Sequence, residues 1–298
     1  MTAPTPTTSS SAVPSMSPTP SPTPNPTQSP LAAAAASANA AHRTQARITA
    51  VTSGKGGVGK TMVSANLAAA LARRGERVLV IDADLGLANL DVVLNLQPRA
   101  TLHDVFTGKV ALEAALVEAP GGFHVLLAGS GLVEYSHLTP EVREQLVAVL
   151  AKVRPRYDRV LLDTGAGISD VVLFAVSLAD EVLVVATPEP TSMADAYATI
   201  KVLAIQQGRE SIQLVVNQTQ RLGEGRNVAQ QLQTVIDRFV QRPDGHAVRL
   251  NYVGEIPSDN SVRHAVQRRQ LMVSTYPGCP AALAISQVAG KLPVLATR

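Results

Sequence analysis

The chain lacks the features that place a protein outside the cell or in a membrane. Cys279 is the only cysteine, so no disulfide can form within the chain, which fits a reducing compartment. No stretch approaches the roughly 18–20 apolar residues that a membrane-spanning helix needs. The first residues do not show the basic start and apolar core of a secretory signal. We therefore expect a cytoplasmic protein.

Aromatic residues and strong net charge are also scarce. Tryptophan is absent and aromatic residues make up 3% of the chain, so its hydrophobic 46% must form a core of valine, leucine and alanine. The formal net charge of +3 is too small to indicate nucleic-acid binding by itself. Arg263, Arg268 and Arg269 lie close together, and we interpret them as a solvated helix face. We expect no specific nucleic-acid partner.

Composition divides the chain into two regions. Residues 1–46 are rich in proline, serine, threonine and alanine and contain no acidic residue, so we predict a disordered tail. In residues 47–298, short β-branched apolar runs alternate with helical segments, which predicts an α/β fold. We expect a doubly wound, mostly parallel sheet with helices on both faces and ligands at the carboxyl ends of its strands. The predicted strands are Ile48–Thr52, Val78–Asp82, His124–Ala128, Val160–Asp163, Val182–Ala186, Gln213–Asn217 and Tyr252–Ile256.

The most specific motif is Gly54-Lys55-Gly56-Gly57-Val58-Gly59-Lys60-Thr61, which matches the phosphate-loop pattern G-x-x-x-x-G-K-[ST] in full. It follows a predicted strand and opens a predicted helix, which is the context that the motif needs. The glycines let several backbone N–H groups point at one anion, and the helix start adds a positive dipole end. Lys60 can reach the β- and γ-phosphates, and the Thr61 hydroxyl can bind Mg²⁺. We expect Gly54 to Met62 to bind ATP, which makes the domain a P-loop ATPase domain.

The same glycines also fit a rival pattern. Gly54, Gly56 and Gly59 match the dinucleotide fingerprint G-x-G-x-x-G, and Asp82 lies near the position of its ribose-binding acid. A pyrophosphate held by backbone alone needs no lysine and hydroxyl, so Lys60 with its neighbouring threonine favours the phosphate loop. A dinucleotide-dependent oxidoreductase is the distant alternative.

Acidic residues stand at the carboxyl ends of two predicted strands. Asp163 ends one strand, and we expect it to bind Mg²⁺ through a coordinated water. Asp84 lies just past another strand, and we expect it to orient the water that attacks the nucleotide. Asp82 is an alternative for that role, or a partner of Thr61. These residues predict ATP hydrolysis at this edge of the sheet.

The residues at the end of the predicted strand Gln213–Asn217 indicate whether the nucleotide base is adenine or guanine. The guanine-specific signature N-K-x-D is absent, and the strand ends in Asn217-Gln218-Thr219-Gln220. An asparagine amide carries a donor and an acceptor side by side, so it can read an adenine edge. The sequence therefore favours ATP over GTP.

With these residues placed, the chain resembles the MinD/ParA group of ATPases with a deviant phosphate loop. The hallmark of that group is an extra loop lysine, here Lys55. Further segments resemble the flagellar-number regulators of the FlhG/FleN branch, and the resemblance covers roughly Arg47 to Leu292. These segments are Asp82-Ala83-Asp84-Leu85-Gly86-Leu87-Ala88-Asn89-Leu90-Asp91, Asp163-Thr164-Gly165-Ala166-Gly167-Ile168, Thr187-Pro188-Glu189-Pro190-Thr191, Asp195-Ala196-Tyr197 and Tyr276-Pro277-Gly278-Cys279-Pro280-Ala281-Ala282.

The resemblance implies roles for individual residues. Lys55, Lys60 and Asp84 match the catalytic residues of the family, with Lys55 reaching the ATP of the opposite subunit. Asp163 matches the ligand of the metal-bound water. The adenine pocket is matched by Asn217, Pro257 and Asp259.

The resemblance also implies a function. It predicts a switch in which ATP and Mg²⁺ drive formation of a homodimer, and it predicts control of flagellar number, placement and gene expression. The implied partners are a flagellar transcriptional activator, an FlhF-type GTPase and basal-body proteins. The implied location is the cytoplasm, with peripheral attachment at the inner membrane or cell pole.

Two features of the branch are not evident in this sequence. The D-Q-A-x-x-L-R motif that stimulates the FlhF GTPase is not found in residues 1–46. Ala281–Leu292 is more typical of a core helix than of an amphipathic membrane helix. A ParA-like partition ATPase that binds DNA non-specifically is the second interpretation, and ATP-dependent, salt-sensitive DNA binding would support it.

Overall fold

A central eight-stranded sheet organises residues 45–86, 88–129 and 139–293, which are the residues that the computed structural model describes. The predicted tail, except for its last two residues, lies outside this part of the chain. Ala46 is buried, and its N–H donates to the carbonyl of Arg154, so the folded region includes this residue.

The sheet has the order β3-β4-β2-β5-β1-β6-β7-β8. All neighbouring strands run parallel except β3 and β4, which are antiparallel. The predicted mostly parallel sheet is therefore confirmed. The strands are β1 (Arg47–Ser53), β2 (Val78–Ala83), β3 (Leu116–Ala119), β4 (Phe123–Leu126), β5 (Arg159–Ala166), β6 (Glu181–Ala186), β7 (Ser211–Thr219) and β8 (Arg249–Pro257).

Helices cover both faces of this sheet, as the sequence predicts. Helices α5 to α8 pack on one face, and α1, α10 and α11 pack on the other. The helices of the described residues are α1 (Lys60–Arg73), α2 (Leu90–Leu94), α3 (Leu102–Phe106), α4 (Leu112–Ala115), α5 (Pro140–Val153), α6 (Asp170–Ser177), α7 (Pro190–Gln207), α8 (Glu224–Phe239), α9 (Asn260–Gln267), α10 (Met272–Thr275) and α11 (Pro280–Lys291).

The continuous apolar runs of the strands follow from this layering. In β2, Leu79 and Ile81 pack into one core, whereas Val78 and Val80 pack into the core on the opposite face. Successive side chains of a strand point to opposite faces, so a strand covered on both sides needs apolar residues at every position.

The final described helix, α11, is a core helix, as its sequence predicts. Ile285, Val288 and Leu292 are buried, whereas Leu283 is half exposed. Buried Arg159 of β5 donates to the carbonyl of Pro293 at 2.7 Å, which ties the end of this helix to the sheet. Within the described residues, we find no helix with the length and apolar character needed to span a bilayer.

Candidate functional site

The carboxyl ends of β1, β2 and β5 meet at a cavity of about 650 Å³. Three segments form its wall: the phosphate loop with the start of α1, the turn after β2, and the turn between β5 and α6. The residues that line it are Gly56, Gly57, Gly59, Lys60, Thr61, Met62, Ala83, Asp84, Leu85, Gly86, Asn89, Thr164, Gly165, Ala166, Ser169, Val171 and Val172. The structure thus brings the predicted phosphate, metal and water-orienting segments together.

Glycines shape the phosphate loop in two different ways. Gly57 and Gly59 have φ angles of 80° and 92°, a left-handed conformation that side chains disfavour. Gly54 packs against α7, where an added Cβ would lie 2.1 Å from the carbonyl oxygen of Asp195. Val58 is buried in the core and does not line the cavity, so its side chain anchors the loop.

Lys60 is the cation of the cavity. Burial lowers the pKa of its ammonium group, and the negative charges of Asp163 and Asp84 oppose that shift. The lysine is therefore near enough to interact electrostatically with the two carboxylates that the sequence assigns to metal binding and water orientation. A phosphate group entering here would meet a partly desolvated positive charge, for which electrostatic attraction is strong.

Asp163 is completely buried beneath the cavity. It accepts a hydrogen bond from the Ser64 hydroxyl at 2.8 Å and another from Thr61. Burial raises the pKa of its carboxyl to about 6, against the hydrogen bonds of Ser64 and Thr61 and the charge of Lys60. Ser64 is absent from the sequence prediction, although its place four residues after Lys60 puts both on one face of α1.

Asp82 is buried and does not line the cavity. Its carboxylate accepts hydrogen bonds from the backbone N–H groups of Asp84, at 3.2 Å, and Leu90, at 3.4 Å. Burial and the nearby Asp163 raise its pKa well above the ordinary value. Asp82 therefore holds the turn that presents Asp84, and the geometry favours Asp84 as the water-orienting acid.

Lys55 points away from the cavity of its own chain. Its ammonium group donates to the Glu189 carboxylate at 2.8 Å and to the Thr191 hydroxyl at 2.9 Å, both at the start of α7. Lys55 does not line the cavity, and 37% of its side chain is exposed. The ammonium group of this loop lysine is therefore held outside the cavity by partners at the start of α7.

The three predicted adenine-pocket residues lie outside the phosphate cavity, at the ends of β7 and β8. Asn217 is buried, and its amide donates to the Val58 carbonyl at 2.8 Å. The Asp259 carboxylate accepts from the N–H groups of Ser261 and Ala281, so it ties together the starts of α9 and α11. Pro257 lines a separate cavity of about 350 Å³. Their role in binding adenine stays a prediction.

Comparisons with known proteins bear on this arrangement. A family model described as an AAA domain matches residues 46–216, more than half of the chain. The antiactivator FleN of Pseudomonas aeruginosa is 44% identical over 246 residues, which are 83% of this chain and 86% of FleN. The chain belongs to the MinD/ParA-type ATPases, in the FlhG/FleN branch.

Two further comparisons agree with this family. The flagellum site-determining protein YlxH of Helicobacter pylori is 31% identical over 255 residues, which are 84% of this chain and 83% of YlxH. The septum site-determining protein MinD of Pyrococcus horikoshii OT3, solved in complex with Mg-ADP, superposes with a TM-score of 0.66 at 26% identity. That match covers 82% of this chain and 94% of that chain. The predicted ATPase activity and the doubly wound fold are confirmed.

The oxygen donors of this MinD/ParA-type ATPase fit a magnesium ion. Mg²⁺ prefers hard oxygen ligands, and it usually keeps several waters beside one or two carboxylates and the phosphates of its substrate. Thr61 lines the cavity, and its hydroxyl forms a hydrogen bond with the buried Asp163 carboxylate. These two residues would hold the ion, Thr61 directly and Asp163 through water.

Asp163→Asn is expected to stabilise the nucleotide-free ATPase at neutral pH. The folded pKa of about 6 lies above the ordinary 3.8, so the charged carboxylate lowers stability as pH rises from about 4 to 6. The free energy of unfolding at pH 7.5 should rise by roughly 1–3 kcal/mol, and the gain should vanish near pH 4. Denaturation in urea at both pH values measures this, with exposed Asp237→Asn as control. A variant less stable than the parent at pH 7.5 would contradict the expectation.

Proposed function

We propose that this ATPase is an ATP-dependent dimerising switch that regulates flagellar number and placement and flagellar gene expression. The observation that carries the proposal is Lys55, a phosphate-loop lysine that lies outside its own cavity. The names of two relatives, an antiactivator and a flagellum site-determining protein, support the flagellar assignment. The proposed location is the cytoplasm, with peripheral attachment at the inner membrane or cell pole.

ATP with Mg²⁺ is the proposed ligand of the cavity. The solved complex of the Pyrococcus horikoshii MinD with Mg-ADP supports this choice. Backbone N–H groups of the loop and the Lys60 ammonium group would bind the β- and γ-phosphates. Magnesium, when bound, neutralises charge on the phosphate oxygens. Thr61 and Asp163 supply the oxygen donors for it.

Hydrolysis is proposed to depend on Asp84. Its carboxylate would accept a hydrogen bond from a water molecule and turn the oxygen lone pair towards the γ-phosphorus. The new P–O bond forms as the bond to the β–γ bridging oxygen breaks, and the water protons end on phosphate and solvent. Lys60 balances the charge that develops on the leaving oxygen.

Dimerisation is proposed to move Lys55. In the ATP state its ammonium group would leave Glu189 and Thr191 and bind the phosphates of ATP in the opposite subunit. Dimer formation would therefore depend on the γ-phosphate. A cation supplied by the partner stabilises the negative charge of the transition state. The flagellar activator, the FlhF-type GTPase and basal-body proteins would then bind the dimeric state only.

Lys55→Ala is expected to remain monomeric with saturating ATP and Mg²⁺. The variant keeps Lys60 and the loop backbone, so ATP affinity should stay within about threefold, a change below 1 kcal/mol. Light scattering with and without ATP measures the dimer, and exposed Lys201→Ala on α7 is the matched control. A Lys55→Ala protein that dimerises as the parent does would show that Lys55 is not needed for ATP-dependent dimerisation.

The flagellar assignment is tested by counting flagella in a deletion strain and in a strain that carries Lys60→Ala. Both strains should show an abnormal number of flagella, because the partners bind only the ATP-bound dimer. Normal flagella together with missegregated chromosomes would instead support the ParA-like partition function.

A further inference from the structure

The end of β7 departs from regular strand geometry. The pairing of β7 with β8 shifts register between Asn217 and Thr219. Gln218, between them, has a φ of 61°, a left-handed conformation that is uncommon for a residue with a side chain. Its N–H donates to the Oδ1 atom of Asn217 at 2.9 Å, which supports the bend. Local strain of this kind concentrates at functional sites.

The bend directs the Asn217 side chain to the phosphate loop. Its Nδ2 atom donates to the Val58 carbonyl oxygen at 2.8 Å, and both residues are buried. At Gly59, an added Cβ would lie 2.6 Å from the same Nδ2 atom. The amide therefore packs directly against the Val58–Gly59 peptide, 159 positions away in sequence.

This hydrogen bond fixes the orientation of a peptide plane. A trans peptide is planar, and its C=O and N–H groups point in opposite directions. Holding the Val58 carbonyl towards Asn217 therefore aims the Gly59 N–H to the opposite side of the plane. Gly59 lines the phosphate cavity, whereas Asn217 does not. The N–H is thus directed towards the space that a phosphate would fill.

We infer that Asn217 is a positioning residue of the phosphate loop, which acts on bound phosphate through the Val58–Gly59 peptide. This inference rests on the proposal that the loop binds the phosphates of ATP. It is an alternative to the role that the sequence suggests for Asn217, the reading of an adenine edge. The side chain is buried and lies outside the phosphate cavity, and one of its N–H donors and its oxygen already form hydrogen bonds within the chain.

A ligand without a base separates the two roles. The affinities of ATP, GTP and inorganic tripolyphosphate, each with Mg²⁺, are measured by calorimetry for the parent protein and for Asn217→Ala. All three affinities should fall by the same factor, roughly tenfold for one lost hydrogen bond. The ATP-to-GTP ratio should stay as in the parent protein. Exposed Asn227→Ala on α8 is the matched control and should leave all three affinities unchanged.

A second variant guards against a folding defect. Asn217→Ser keeps an oxygen that can accept the Gln218 N–H, but its side chain is too short to reach Val58, so it should show the same loss. Unchanged tripolyphosphate affinity in the folded variants would overturn the inference. A loss of the preference for ATP over GTP, with tripolyphosphate affinity unchanged, would instead support adenine reading by Asn217. A parent protein that binds no ATP would overturn the proposed function itself.

Discussion

Lys60→Ala is expected to abolish measurable nucleotide binding. Lys60 is the cation that lines the cavity, and Asp163 and Asp84 are close enough to act on the pKa of its ammonium group. Its removal leaves those carboxylates to repel the phosphates. The loss of charge-assisted hydrogen bonds to two phosphates should cost at least about 3 kcal/mol, or roughly a hundredfold in affinity. Calorimetric titration with Mg-ATP measures this loss.

The matched control is Lys152→Ala, an exposed lysine on α5 far from the phosphate loop in sequence. It removes the same charge and should leave ATP affinity unchanged. Since Lys60 is partly buried and its pKa is lowered, its replacement should not unfold the chain, which circular dichroism checks. Parental affinity in folded Lys60→Ala would show that ATP does not bind at this loop.

The sequence predicted the strands that build the parallel sheet because most of them are short apolar runs covered on both faces. Strand β3 was not predicted, since Leu116–Ala119 is only four residues long and, at the sheet edge, buries only its last residue. The short helices α2, α3, α4 and α10 are likewise too short to be evident from the sequence. A helix of four or five residues shows little periodicity, and tertiary contacts decide whether it forms.

The phosphate loop was predictable because its motif encodes backbone geometry within eight residues. The contacts that complete the site join distant parts of the chain. Ser64 contacts Asp163, which is 99 positions away in sequence, and Lys55 contacts Glu189, which is 134 positions away. No local sequence pattern predicts such pairs. The choice between Asp82 and Asp84 likewise needed the structure, which buries one and brings the other to the cavity.

Asp84→Ala is expected to bind ATP and remain dimeric because hydrolysis nearly stops. The Asp84 carboxylate lies at the meeting of the two turns, where an added Cβ on Gly165 would be 3.4 Å from its Oδ1 atom. Without the Asp84 carboxylate the attacking water is no longer oriented, and the turnover rate of ATP hydrolysis should fall by roughly 100- to 1000-fold. ATP affinity should hold or rise, since a negative charge next to the phosphates is removed.

Phosphate release and light scattering on the same sample test this expectation, because the scheme links slow turnover to a persistent dimer. Exposed Glu144→Ala on α5 is the control for loss of a carboxylate and should keep parental turnover. Asp84→Asn keeps the shape of the side chain but is a weaker acceptor, so it should behave as the alanine variant does.

An Asp84→Ala protein that hydrolyses ATP at the parental rate would exclude Asp84 as the water-orienting acid. A variant that stays monomeric at saturating ATP would instead break the link between the ATP state and dimerisation, even if its turnover were lost.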